Sequence, residues 1–351
     1  MNRKWVRILV GVVVFVLLAG IAGMVYTNRN SESFFSLAVS SQIDSNIELA
    51  SELLGNTEDI VLFTIGTAAP LPSPRSQTCT VIFVNGEFFV FDVGDGAVQE
   101  MSNQNLPLNN VSGVFLTHLH SDHFIDLPSL VNQTWLMGRS KVLPVYGPVG
   151  TAKIMNHVEQ MLEQEQQYRV DHHGEDIMNL SSAKTLTKEI ELVENGSFIA
   201  YNQKGIKITA FDVGHEPVSP DFGYVIEYKN KKVVLSGDTN KNQNVIKHAQ
   251  NADLLVHEAM LIDLIQEVSA LIKEKGLDRN AKILDDITHY HTSNIEAAEV
   301  AAEANVKHLV MSHLAPVPDR KVISRQYTQG LSKIFDGEIT LADDGDKFII
   351  N

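Results

Sequence analysis

Hydrophobic and polar positions divide the chain into three stretches. From Ile8 to Tyr26, 19 residues pass without a charge, behind Arg3, Lys4 and Arg7. That length spans a bilayer core, and the basic flank stays in the cytoplasm. Trp5 and Tyr26 stand where interfacial aromatics would. A cleaved signal peptide is the competing reading, because Ala19 to Gly23 offers small residues, but the apolar run continues past them. Residues 1–29 are therefore expected to form a transmembrane anchor or signal segment. The rest of the chain is expected to be exported, either anchored at the inner membrane and facing the periplasm or secreted after cleavage. Residues 30–55 scatter Phe34, Phe35, Leu37, Ile43, Ile47 and Leu53 among polar positions, which reads as a linker with a short amphipathic helix. Residues 56–351 carry the regular pattern of a folded body.

Within that body, apolar runs mark strands. Asp59 to Ile65 ends in Gly66-Thr67. Thr80–Val84 and Glu87–Asp92 flank Asn85-Gly86, the strongest short hairpin signal. Val111–Leu116 runs into a histidine-rich loop, and Leu143–Tyr146 stops at Gly147-Pro148. Ile206–Val213 leads to Gly214-His215. Tyr224–Tyr228 and Lys232–Leu235 form a second hairpin that delivers Ser236-Gly237-Asp238-Thr239. Asp253–Val256 leads to His257-Glu258-Ala259, and Lys307–Met311 to Ser312-His313. Helices are expected from about Asp126-Leu127-Pro128, with Pro in the first turn, over Thr151 to about Tyr168, and over Asn294–Ala304 behind His291-Thr292-Ser293. Between Met260 and Tyr290, Leu261, Leu264, Ile265, Val268, Leu271 and Ile272 recur at helical spacing. That insertion reads as a helix packed on the body or at a dimer seam. The order of strands then helices, twice over, predicts two packed sheets with helices on their outer faces.

Composition narrows the picture. The net charge of −15 argues against a dominant phosphate-backbone partner. The single cysteine, Cys79, excludes an internal disulfide framework and any cysteine-based zinc site.

The chemistry concentrates in Thr117-His118-Leu119-His120-Ser121-Asp122-His123, on the loop leaving a buried strand. Imidazole and carboxylate at this density form a first-row metal's ligand set, zinc above all. His215, Asp238 and His313 each follow an expected strand. Any one alone is an unremarkable polar residue, but four strand ends can converge on one edge of a sheet sandwich. One metal would then take His118, His120 and His215, and another Asp122, His123 and His313, with Asp238 between them. Two ions roughly 3.5–4 Å apart clamp the attacking and leaving oxygens of a displacement, and Asp122 could orient the hydroxide. His157, His172, His173, His248, His289 and His308 have no motif around them and read as surface or packing residues.

His118-x-His120-x-Asp122-His123 resembles the signature of the metallo-β-lactamase superfamily. The likeness continues through Gly66-Thr67, Asp92-x-Gly94, Gly147-Pro148, His215, Gly223-Tyr224, Ser236-Gly237-Asp238-Thr239, His257-Glu258-Ala259, His291-Thr292-Ser293 and Ser312-His313, about residues 58 to 351. It is similar to the ribonuclease Z and arylsulfatase-like branch. Trp135-Leu136-Met137-Gly138-Arg139 and Asp221-Phe222-Gly223-Tyr224 resemble the arylsulfatase-like members in particular. The resemblance implies an α+β, four-layer αββα sandwich with two zinc ions per chain in the two ligand sets above, Mn2+ or Fe2+ being possible substitutes. It also implies hydrolysis of a phosphate or sulfate ester, with Glu258 and His291 relaying a proton to the leaving group. A histidine oriented by a carboxylate suits that role near neutral pH. His257 is the better candidate for a supporting hydrogen bond. Aspartate at 238 departs from the cysteine of many true β-lactamases. His120 departs from the glutamate of the diiron relatives, which favours zinc. Homodimers are common among such relatives.

The expected function is an exported zinc hydrolase acting on a small sulfate or phosphodiester ester. The alternatives are a tRNA 3′-processing endonuclease like ribonuclease Z, and a lactonase or other carboxylic-ester hydrolase. Gripping tRNA calls for a basic arm. The corresponding segment, Thr151 to Lys204, carries five basic residues against nine acidic ones, so nucleic acid is not the expected partner.

Overall fold

The computed structural model describes residues 31–192 and 196–351. The chain divides into two units between Ser51 and Glu52, the larger being the compact body 52–351. The expected membrane anchor over residues 1–29 lies outside the described residues. Among the described residues, no helix is long and apolar enough to cross a membrane. Residues 31–55, expected to be mostly linker, form one continuous helix, α1 (Ser31–Gly55). The segment has neither proline nor glycine before Gly55, so nothing interrupts the helical ladder once it starts.

The larger unit holds two seven-stranded sheets, as the alternation of strands and helices predicted. The first contains β1 (Ile60–Gly66), β2 (Cys79–Val84), β3 (Glu87–Phe91), β4 (Val111–Phe115), β5 (Leu143–Gly147) and β6 (Thr185–Glu189). The second contains β7 (Ser197–Gln203), β8 (Ile206–Asp212), β9 (Phe222–Tyr228), β10 (Lys231–Leu235), β11 (Leu254–Met260), β12 (His308–Ala315) and β13 (Glu338–Leu341). The C-terminal strand β14 (Asp346–Ile350) returns to the first sheet, where Ile350 pairs with Ile60. Both sheets follow one plan: four antiparallel strands, then three strands added in parallel. The parallel half of each sheet needs crossovers, and these supply the helices.

Those helices are α2 (Ala97–Asn103), α3 (Ser121–Phe124), α4 (Leu127–Leu136), α5 (Thr151–His173), α6 (Leu180–Ala183), α7 (Gln243–His248), α8 (Ile262–Glu274), α9 (Asp278–Ile287), α10 (Asn294–Glu303) and α11 (Lys321–Thr328). Strand alternation sorts the core into layers. Leu254 and Val256 face the space between the sheets, with Phe91, Phe115, Tyr224 and Val310. Leu255 and Ala259 face the other way, against Ala297, Val300 and Ala301 of α10 and Val245 of α7. On the first sheet, α2 packs on β1 and α5 on β6. Ser293 caps α10 through a full capping box with Glu296, a device worth about 1 kcal/mol.

The short strands β6, β7 and β13 had no clear signal in the sequence. Their residues are only partly buried, so no clean alternation marks them. The insertion is a helical hairpin, α8 and α9. Ile265 is buried with Met260, Ala69 and Ala315, against Ile262, Leu284 and Ile287, so the hairpin does pack on the body. Val268 and Leu271 of its apolar stripe stay exposed.

Candidate metal centre

The site lies where the ends of the two sheets meet. Thr117, just past β4, joins them: its carbonyl accepts from Phe222 N at 3.1 Å, and the neighbouring Leu116 carbonyl accepts from the Tyr224 hydroxyl at 2.7 Å. The chain then turns through His118 and His120 into α3, which carries Asp122 and His123. Two glycines permit this close packing. A Cβ on Gly94 would stand 2.3 Å from the Asp122 carbonyl, and one on Gly237 2.4 Å from the Phe222 carbonyl.

Six side chains with metal-ligand chemistry converge around Asp238. His118 Nε2 lies 2.9 Å from His120 Nδ1, which lies 3.3 Å from His215 Nε2. Asp238 Oδ2 is 3.9 Å from His118 Nε2 and 3.2 Å from both His123 Nε2 and His313 Nε2. Asp122 Oδ2 stands 3.4 Å from His123 Nε2 and 3.2 Å from His313 Nε2. Ligand atoms around a tetrahedral zinc stand roughly 3.3 Å apart, given bonds of roughly 2.0–2.1 Å. Two clusters, His118/His120/His215/Asp238 and Asp122/His123/Asp238/His313, have that spacing and could each hold a metal ion. His123 Nε2 is buried and has no hydrogen-bond partner, an arrangement that a metal would satisfy and hydrocarbon would not.

His313 reaches the centre from within β12 rather than after it. Glu258 pairs with Ser312 but Met260 pairs with Ala315, so His313 sits at a bulge, with φ +49°. Bulges re-aim side chains beside active sites. Alternation places Glu258 toward the centre and His257 toward the helices. His257 gives its Nδ1 to the Glu258 carbonyl at 2.8 Å, and it belongs to neither cluster. Of the motif-free histidines, His248 stacks on Phe211 and His308 bonds Thr340.

Several partners of the centre had no assigned role in the sequence. His123 Nδ1 meets Asp92 Oδ2 at 2.9 Å, and Asp92 also takes the Thr117 amide and hydroxyl. His118 Nδ1 lies 3.1 Å from the Thr117 hydroxyl, while Asp221 Oδ1, at 3.7 Å, is beyond hydrogen-bond reach. His215 Nδ1 donates to the Tyr290 carbonyl at 3.1 Å. Such contacts fix the ring and tautomer, leaving the other nitrogen for the centre. A carboxylate at a strand end, as in Asp92-x-Gly94, was the available signal for the first. Nothing local marked the Tyr290 carbonyl.

Electrostatics agree with this assignment. Burial alone would raise the Asp122 and Asp238 carboxyls, but the imidazoles of His123 and His313 hold both well below the usual range. Burial pushes His118 down, and His215 down to about 4. Against its own burial, His123 is raised by Asp238, Asp122 and Asp92. Ionised carboxylates and neutral imidazoles are the metal-ready forms, so metal entry would displace the proton His123 retains. Beside the clusters, His291 Nδ1 faces both Glu258 oxygens, at 2.9 and 3.0 Å. Its ring lies 5.0 Å from His215 and 5.3 Å from His313. Burial pushes Glu258 up and His291 down, so the pair favours a single shared proton.

Residues 89–314 match the family described as the beta-lactamase superfamily domain. The chain belongs to the metallo-β-lactamase superfamily and is one of its hydrolases. It is 31% identical to the Ribonuclease Z of Mycolicibacterium paratuberculosis over 287 residues, 80% of this chain and 94% of that one. It is 30% identical to the Ribonuclease Z of Mycolicibacterium gilvum over 256 residues, 72% of this chain and 83% of that one. The short form of human tRNase Z superposes with a TM-score of 0.60 at 24% identity, over 83% of this chain and 99% of its own. The metallo-β-lactamase fold protein YhfI from Bacillus subtilis does so with a TM-score of 0.58 at 20% identity, over 83% and 100%. These two structures speak to the fold alone.

The comparisons correct one expectation and shift the balance of two others. Curated relatives named as ribonucleases overturn the placement of the catalytic domain at the inner membrane, in the periplasm or in the medium. They favour the ribonuclease Z side of the branch over the arylsulfatase-like side. They also weigh against setting nucleic acid aside as a partner.

Proposed function

We propose that this chain is a dinuclear-metal phosphodiesterase of the ribonuclease Z kind, acting on an RNA phosphodiester. The observation that carries the reading is the 31% identity to a ribonuclease Z across 94% of that relative. The Glu258–His291 pair, set beside two metal-capable clusters, supplies the matching chemistry. In this reading His118, His120 and His215 would hold one ion and Asp122, His123 and His313 the other, with Asp238 a carboxylate common to both clusters. The His/Asp donor set suits zinc, with Mn2+ or Fe2+ as substitutes. When bound, such ions supply Lewis acidity toward the phosphoryl oxygens and make water acidic near neutral pH.

The chain's own residues do the rest. Asp122 orients the attacking water and faces its proton. Asp92, the Thr117 hydroxyl and the Tyr290 carbonyl hold His123, His118 and His215 in register. Glu258 holds the His291 ring by Nδ1, leaving Nε2 to give a proton to the departing oxygen. A donor so placed contributes about 10²–10⁴-fold.

A second reading, hydrolysis of a small phosphodiester or sulfate ester, is favoured by the segment from Thr151 to Lys204. Its cations are largely occupied within the protein: Arg169 pairs with Glu165 at 2.8 Å, Lys184 with Glu159 at 3.5 Å, and Lys204 with Glu87. Zinc-loaded protein should be offered a tRNA precursor with a 3′ trailer, a bis-aryl phosphate and an aryl sulfate. Cleavage of the precursor at the trailer, abolished by chelator, is the expected result. Hydrolysis of the sulfate with both phosphodiesters untouched would sink the proposal.

A further inference from the structure

A cavity of about 730 Å³ opens beside His291, between the insertion hairpin α8–α9 and the ends of α10 and α11. It is large enough for a drug-sized group. His291 forms part of its wall while 7% exposed. Glu258 occupies Nδ1 of that ring, and among the described residues no protein group takes Nε2. The nitrogen left over is the one that would meet a departing oxygen.

The rest of the lining has a definite charge. Asp263 and Glu267 lie four residues apart on α8, on the side that lines the cavity, and neither pairs with a cation among the described residues. Glu296 adds a third carboxylate, held by the Ser293 amide and hydroxyl, His289 adds an imidazole, Asn294 and Gln326 add neutral polar groups, and no described lysine or arginine lines the cavity. A pocket meant for phosphates would present the reverse pattern, with guanidinium or ammonium groups converging.

We infer that this cavity receives the leaving group of the substrate and selects one that is uncharged or cationic over one that carries additional negative charge. The inference rests on the proposed role of the Glu258–His291 pair as proton donor. The selecting residues, Asp263 and Glu267, come from the insertion, whereas the ligands of the centre come from the sheets. For an RNA substrate, the cavity would take the terminal nucleoside and leave further phosphates outside.

Aryl phosphodiesters with matched leaving-group acidity test this. Their phenols would carry a trimethylammonium group, no charge, or a sulfonate. Zinc-loaded protein should show kcat/KM falling in that order, by on the order of tenfold from cation to anion, as expected for carboxylates a few ångströms from the charge in a site that solvent reaches. The double variant Asp263→Asn/Glu267→Gln, which leaves the capped Glu296 in place, should flatten most of the series. Binding of the free phenols, measured by calorimetry, should show the same order and the same levelling. Equal binding of the cationic and anionic phenols to the native protein would overturn the inference, whether or not the esters turn over. Selective phenol binding with no ester hydrolysed would instead overturn the proposed activity and support the cavity's assignment.

Discussion

Replacing Asp92 by asparagine isolates what a buried carboxylate does for a ligand it never joins at the metal. Asp92 is 3% exposed and accepts three hydrogen bonds: from the Thr117 amide at 2.8 Å, the Thr117 hydroxyl at 2.9 Å and His123 Nδ1 at 2.9 Å. Asparagine keeps the volume, and its oxygen can still take the Thr117 amide. Its NH2 group then faces His123 Nδ1, which can accept that hydrogen bond only with the proton moved to Nε2. Nε2 is the atom that stands 3.2 Å from Asp238 and 3.4 Å from Asp122. Once metal takes Nε2, the ring's remaining proton must sit on Nδ1 and face the asparagine NH2, donor against donor, a clash the native carboxylate does not impose, so affinity at this cluster should fall on the order of 10–100-fold, about 1.4–2.8 kcal/mol. The metal-free fold loses one charge-assisted bond, about 1–2 kcal/mol. Asp92→Ala also strands the Thr117 donors and should destabilise by about 2–4 kcal/mol. Competition against a chromophoric chelator measures the affinity, and chemical denaturation in chelator measures the fold. If Asp92→Asn binds metal as tightly as the native chain, the tautomer argument is wrong. If only the alanine variant loses metal, packing rather than proton placement explains the effect.

Three further substitutions probe other parts of the site. Asp238→Ala removes the carboxylate shared by both clusters and should abolish activity and metal retention; two zinc ions per chain by elemental analysis would contradict its place between them. His291→Ala should leave metal content unchanged and slow substrates with poor leaving groups most, by about 10²–10⁴-fold; equal slowing across a leaving-group series would count against proton donation. Gly94→Ala puts a Cβ 2.3 Å from the Asp122 carbonyl, so α3 must shift. Metal affinity should then drop with stability, and a native-like melting temperature with full metal content would show that the loop has room.

The sequence alone was enough to find the clusters' members, because they are local signals. His118 to His123 lie in one loop, and His215, Asp238 and His313 close or interrupt apolar runs. The hairpin at Asn85-Gly86 was equally legible: both residues take positive φ, 46° and 78°, which few other pairs adopt without strain. The superfamily likewise followed from motifs spread along the chain. Side-chain chemistry and short-range periodicity are written residue by residue, so they survive without coordinates.

Tertiary structure alone decided the rest. It brought β14 back to β1, placed His313 on a bulge and turned His257 away from Glu258's face. It chose Asp92 and the Tyr290 carbonyl as partners that orient the imidazoles, and it shaped the cavity beside His291. These features depend on which atoms meet across 30 to 290 residues of chain, and no local pattern encodes such meetings. A hydrogen bond to a backbone carbonyl, as at Tyr290, leaves no trace in residue identity at all. Substrate class is less local still, because it rests on the net field and shape of surfaces assembled from many loops.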